Sequence, residues 1–165
     1  MRRKDKEIAN HLEVEELLTN ASVGRLGTCF NNIPYITPVN FVYDQNKIYI
    51  HSALEGRKIE NIKSNPKICF EIDEAMSIIP GRGPCGTTTE YKSLIIFGDI
   101  KFITDINEKT LALNKLIEKY TPQSPRLSLE SGATRITGVL VIYIKEITAK
   151  QSPVGRKIVI TPSEK

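Results

Sequence analysis

Apolar residues recur along this chain with two different periods, and the switches between them divide it into elements. Over residues 5–20, Ile8, Leu12, Leu17 and Leu18 alternate with acids and amides at helical spacing, which predicts an amphipathic helix. The run 23–30 predicts a short strand, and Asn31-Asn32 is a turn signal that returns the chain into a second strand over 34–43. Asp44-Gln45-Asn46 turns it again into a strand over 47–51. Connections this short predict an antiparallel meander.

The pattern then becomes helical over residues 53–63, where Ser52 and Glu55 match the S-x-x-E capping box. Asn65-Pro66 ends that helix, because proline disfavours helical geometry in the residue before it. Residues 67–73 alternate Ile68, Phe70 and Ile72 with polar positions and predict a half-buried strand. A long mobile loop is expected over 74–90, followed by a strand over 91–104 with a bulge or bend at Gly98. Asp105 and Glu108 form a second capping-box match for a helix to Tyr120. Residues 121–136 read as a surface loop, and 137–147 as the last and most hydrophobic strand. Six strands with antiparallel connections and peripheral helices predict a mainly β fold closed into a barrel, which removes exposed strand edges.

With 165 residues, 40% hydrophobic and 25% charged, the chain has the size and composition of one ordinary globular domain. We expect that domain over 1–150 and a polar, basic tail over 151–165. No segment has the roughly 18 consecutive apolar residues of a membrane span, and the first residues lack the apolar core of a secretory signal. The expectation is a cytoplasmic protein that does not engage membranes. The net charge of +4 arises from basic residues spread along the chain, so nucleic-acid binding is not expected. Cys29, Cys69 and Cys85 are spaced for neither a disulfide framework nor a zinc site, and no metal is expected.

Chemistry concentrates after the third predicted strand. Ser52 precedes a helix whose first turns carry Arg57 and Lys58. Helix N–H groups, the positive dipole end and two cations together attract phosphate, the arginine as a planar fork and the lysine as a point charge. The alternative is that Ser52 merely caps the helix while both cations are solvated. His51 either lines a pocket beside that seat and donates a proton, or is a strand histidine satisfied by one hydrogen bond. Gly81-Arg-Gly83-Pro-Cys-Gly86 matches G-x-G-x-x-G but does not open a helix inside a βαβ unit, so it is not read as a dinucleotide site. Cys85 in this loop is either incidental or a pocket residue. Tyr35, Tyr43, Tyr49 and Phe70 fit strand packing.

The run PYITPVNFVYDQNKIYIHSALEGRKIENIKSNPKICFEID, followed by CGTTTEYKSLIIFG, resembles the pyridoxamine-5′-phosphate-oxidase-like FMN-binding split-barrel superfamily. Within it the likeness is greatest to Nim-type nitroimidazole-resistance proteins, over about residues 1–147. The resemblance implies a homodimer of six-stranded antiparallel split barrels with FMN at the subunit interface. It implies that Ser52, Arg57 and Lys58 hold the phosphate, that Thr37, Pro38, Val39 and Asn40 meet the isoalloxazine edge, and that Tyr91, Lys92 and Ser93 reach the site from the partner. It also places His51 toward the active site and matches Cys85 to a cysteine common in the Nim-type group.

The implied activity is an FMN-dependent reductase passing a hydride to a small electron-poor acceptor such as a nitroaromatic, with nicotinamide as a transient donor. A non-catalytic flavin or haem binder with His51 as axial ligand is the other reading. Pyridoxamine-phosphate oxidase itself matches less well, because the tail QSPVGRKIVITPSEK does not resemble its substrate-binding C-terminus.

Overall fold

The structure, a computed structural model, describes residues 4–83, 86–128 and 132–152. Cys85 and residues 153–165 of the basic tail lie outside the described residues.

Seven strands form one antiparallel sheet: β1 (Gly24–Phe30), β2 (Ile33–Val39), β3 (Val42–Asp44), β4 (Lys47–Ser52), β5 (Lys67–Ile79), β6 (Thr88–Phe102) and β7 (Gly138–Ser152). Their spatial order is β2-β1-β5-β6-β7-β4-β3. The sheet curls round a core in which Leu26, Ile50, Phe70, Ile96 and Ile142, from five strands, join one cluster. Phe41 and Phe70 meet edge to face within it, with centroids 5.2 Å apart.

The mainly β, split-barrel architecture is as expected, but the strand count, the meander and the closure are corrected: the sheet is open, with β2 and β3 at its two edges. Residues 34–43 do not form one strand. They break at Asn40-Phe41 into β2 and β3, which occupy opposite ends of the sheet order and pair only with β1 and β4. Phe41 is fully buried, and its backbone binds the Tyr120 hydroxyl instead of a neighbouring strand. The two-residue turns after β1 and β3 hold Asn31, Asn32, Gln45 and Asn46 at positive φ, the geometry that joins tight hairpins.

The first helix, α1 (His11–Asn20), starts later than its apolar spacing predicts. Asn10 caps it by accepting from the Leu12 N–H at 3.1 Å, and Ile8 before it runs along β7, donating to Ala149 O at 3.1 Å. The second helix, α2 (Arg57–Ser64), packs on β1, where buried Asn61 donates to Thr28 Oγ1 at 3.0 Å. The third, α3 (Ile106–Tyr120), lies over the outer face of β4 and β7 and builds a second cluster from Leu113, Leu116, Tyr49, Val139 and Val141. Its cap is as predicted, with Asp105 accepting from the Glu108 N–H at 2.8 Å. A short helix, α4 (Gly132–Ile136), occupies part of the predicted 121–136 loop.

The predicted loop over 74–90 is mostly strand. Pairing of β5 with β6 continues to Ile79 opposite Thr88, leaving only the tip as a turn. The glycine motif serves that tip, since Gly83 has φ +74 and a Cβ on Gly81 would sit 2.1 Å from Gly86 O. The strands on either side of the motif pair as a β5–β6 hairpin. Gly98 does mark a bulge: the β6–β7 register shifts there, and a Cβ would lie 2.4 Å from Tyr143 O.

Candidate functional site

The end of β4 fixes the site. His51 and Ser52 pair with Val139 and Gly138 of β7. A Cβ on Gly138 would fall 2.9 Å from Ser52 O and 3.1 Å from Ala53 O, so glycine is what lets the β4 end lie this close. Held in the ladder, Ser52 is not a helix cap, and the predicted S-x-x-E capping box does not form. The N-cap is Gly56, with φ +105 and no capping side chain. The Ile59 N–H donates to Gly56 O at 2.8 Å, while no side chain caps the first turn.

A polar cleft of about 250 Å³ opens between the ends of β2 and β4 and the start of α2, lined by Pro38, Val39, Asn40, His51, Ser52, Ala53 and Lys58. Six residues singled out from the sequence thus come together. Ser52 is 8% exposed, and its Oγ is buried with no hydrogen-bond partner among the described residues. An unpaired buried hydroxyl costs about 1–3 kcal/mol, so its presence on a cleft wall fits a group that accepts from or donates to a guest. Lys58 is half-buried, and burial pushes its ammonium below the ordinary lysine value. An anion seated beside it would favour the charged form. Asn40 is oriented by donating to Ser22 O at 3.2 Å.

Other expected members stand apart. The Arg57 guanidinium lies 4.8 Å from the centre of the Tyr35 ring, a cation–π geometry, and Arg57 does not line the cleft. Thr37, next to Pro38, is also off the cleft wall, with its Oγ1 buried and unpaired among the described residues. Tyr91, Lys92 and Ser93 lie at the other end of β7, opposite Ser152, Gln151 and Lys150, whereas His51 and Ser52 oppose Val139 and Gly138. Within one chain they are not part of the site. Lys92 Nζ is 3.9 Å from the Glu13 carboxylate.

A second, apolar pocket of about 350 Å³ adjoins the first and shares Asn40 and His51 with it. Leu113, Leu116, Ile117, Tyr120 and Leu127 contribute to its wall. The sequence reading missed this, because the apolar face of α3 carries the same period whether it fills a core or lines a cavity. Exposed His51 forms the rim between the two spaces. Among the described residues no group of His, Cys, Asp and Glu is placed to hold a metal ion. No helix of the described residues is long and apolar enough to cross a membrane.

Known proteins resemble this arrangement. A candidate 5-nitroimidazole antibiotic resistance protein from Bacteroides thetaiotaomicron is 26% identical, with a TM-score of 0.76 over 87% of this chain and 85% of that one. A flavocytochrome from Azotobacter vinelandii shares the fold at 18% identity, with a TM-score of 0.80 over 92% of this chain and 71% of that one. An FAD-binding protein from Mesorhizobium loti shares it at 22% identity, with a TM-score of 0.65 over 87% and 95%. An uncharacterised protein of Rhizobium meliloti (strain 1021) is 28% identical over 86 residues, 52% of this chain and 50% of its own length, so the match spans about half of that relative. The family model described as pyridoxamine 5′-phosphate oxidase matches residues 10–151, and with a curled antiparallel sheet and a cleft at the β4–α2 corner, this chain belongs to that family.

Proposed function

We propose that this protein is an FMN-dependent oxidoreductase that reduces small electron-poor molecules, of which nitroaromatics and nitroimidazoles are the leading class. The observation that carries the reading is the cleft in which an unpaired, buried Ser52 hydroxyl, half-buried Lys58 and the opening of α2 converge. Hydroxyl, ammonium and helix N–H groups are the donors a phosphate monoester requires. The likeness to a nitroimidazole resistance protein and to an FAD-binding protein of the same fold supports a flavin as cofactor and a nitro compound as acceptor.

In this reading Ser52 and Lys58 bind the phosphate, with Arg57 adding charge from its place beside Tyr35. Thr37, Pro38, Val39 and Asn40 border the isoalloxazine edge, Asn40 being held in position through Ser22 O. When bound and reduced, the flavin would supply the hydride for the acceptor. His51 stands on the rim, where a ring N–H would deliver the accompanying proton. A nicotinamide donor binds transiently.

A homodimer completes the site by bringing Tyr91, Lys92 and Ser93 from the partner. Exposed Phe30, Ile33 and Ile36 on the β1–β2 hairpin supply apolar surface for such an interface. We place the protein in the cytoplasm, in keeping with its free cysteines Cys29 and Cys69. The apolar pocket beside His51 favours a second reading, a non-catalytic binder of flavin or haem with His51 as axial ligand.

Titrating flavin-free protein with FMN and following the flavin fluorescence tests the proposal. Saturable quenching that Lys58→Ala weakens is expected. Absence of saturation, or binding indifferent to Lys58→Ala, overturns the phosphate seat, and a haem spectrum without flavin uptake supports the second reading.

A further inference from the structure

We infer that the apolar pocket beneath α3 is the acceptor subsite and that it takes a neutral aromatic molecule of one or two rings. The role of the occupant rests on the reductase reading, while occupancy can be measured without it. The first support is position. The pocket meets the polar cleft only through shared wall residues, Asn40 and His51, so a guest in it contacts the histidine that also borders the cofactor cleft.

The second support is chemistry. Leu113, Leu116, Ile117 and Leu127 dominate the wall, and among the described residues no Lys, Arg, Asp or Glu lines it. A charged guest would lose hydration here without a counter-charge, whereas an aromatic ring gains by leaving water. The polar cleft, with Lys58, has the opposite preference. The two spaces therefore divide an anionic ligand from a neutral one. A volume of about 350 Å³ lies within the usual range for small-molecule pockets.

The third support is the construction of the outer wall. Leu127 belongs to neither helix nor strand, yet the Asn114 amide clamps its backbone: Nδ2 donates to Leu127 O at 3.0 Å, and Oδ1 accepts from the Leu127 N–H at 2.7 Å. Paired bonds of this kind reproduce a step of strand pairing and fix the wall against α3. Asn114 is thus a positioning residue for the pocket.

Saturation-transfer NMR on the full chain, using nitrobenzene and 4-nitrobenzoate as probes, tests the inference. Nitrobenzene is expected to bind saturably, to weaken by at least about tenfold in Ile117→Trp, which fills the pocket, and to weaken less in Asn114→Ala. Binding of 4-nitrobenzoate should not respond to Ile117→Trp, and FMN titration of that variant should be unchanged. A thermal melt checks that Ile117→Trp folds, and Ile117→Phe replaces it otherwise. Nitrobenzene binding equally well to the filled variant overturns the inference. So does loss of FMN in step with loss of nitrobenzene, which would place the flavin ring in this pocket. If nitrobenzene behaves as expected but FMN never binds, the aromatic pocket stands while its acceptor role falls with the reductase reading; FMN binding without nitrobenzene binding overturns the pocket and leaves the flavin site standing.

Discussion

The Tyr120 hydroxyl holds the backbone of Phe41 at the point where the sheet fails to close. It accepts from the Phe41 N–H at 2.9 Å and has two carbonyls within reach of its single proton, Ser22 O at 2.7 Å and Phe41 O at 2.8 Å. One side chain at the end of α3 therefore does the work that a neighbouring strand does elsewhere. Tyr120→Phe removes the hydroxyl alone and leaves a backbone donor beside a fully buried ring. A loss of about 1–3 kcal/mol is expected, read as a lower urea midpoint with unchanged slope.

The two cations at the start of α2 are not equivalent. Lys58 lines the cleft, whereas Arg57 lies against Tyr35. Lys58→Ala is expected to weaken FMN binding by about tenfold to a hundredfold, and Arg57→Ala by no more than a few-fold. Fluorescence titrations of the two single variants check the order, and the reverse order would place the phosphate on the Tyr35 side.

His51 borders both spaces and is not one of the groups assigned to the phosphate. In His51→Ala, turnover with a nitroaromatic acceptor is expected to fall by about 10²-fold or more, with FMN affinity within a few-fold of the parent. Steady-state rates and flavin titration on the same preparation separate the two. An unchanged rate would make the histidine structural.

Burial sets the pH response of Lys58. Its folded value lies below the ordinary lysine value, so between the two the unfolded chain binds more protons and stability rises with pH. A bound phosphate favours the ammonium and opposes that trend. FMN affinity is therefore expected to decline as pH rises through the depressed Lys58 value, earlier than an unshifted lysine would allow. Affinity measured against pH in the parent and in Lys58→Arg checks this, because arginine stays charged and should push the decline to higher pH.

Asp99 reports acid sensitivity near the β6–β7 bulge. Lys145, the unmatched residue between the pairs Phe97↔Glu146 and Gly98↔Ile144, forms an ion pair with it, and Lys67 Nζ lies 2.6 Å from its other oxygen. These partners, Lys145 first, hold the Asp99 carboxyl below the usual carboxylate range. Their stabilisation is present above the unfolded carboxylate value and is lost as pH falls through the folded one. Asp99→Asn should flatten the acid limb of a stability-against-pH curve by lowering its neutral plateau by the same small amount, since exposed pairs contribute weakly.

Local patterns in the sequence were legible wherever the deciding interactions are local. Alternation found the strands, Asp105 capped α3 as its spacing predicts, and Gly98 marked a bulge. The failures that bear on the site are long-range, whereas the missed hairpin within 74–90 and the short helix within 121–136 are local misreadings. Nothing near Asn40-Phe41 signals a break, because its cause is Tyr120, 79 residues away. Ser52 and Glu55 satisfy a capping pattern, but pairing with Gly138 keeps Ser52 in the ladder. Arg57 was read as facing a phosphate, and its actual neighbour Tyr35 belongs to a distant strand. The cleft was recovered by two routes: His51, Ser52 and Lys58 sit where alternation gives way to a helical pattern, whereas Pro38, Val39 and Asn40 came from the family resemblance, because the strand end there left no local signal.

The break after Val39 has an implication for how such a protein diversifies. A fully sealed cylinder spends every main-chain donor and acceptor on itself, and remodelling its lining puts the whole wall at risk. Here the opening lies where two terminal segments part company, braced by a remote phenol. Replacements at the rim can retune what is admitted without unzipping any ladder, so the seam is where new specificities would accumulate at least structural cost.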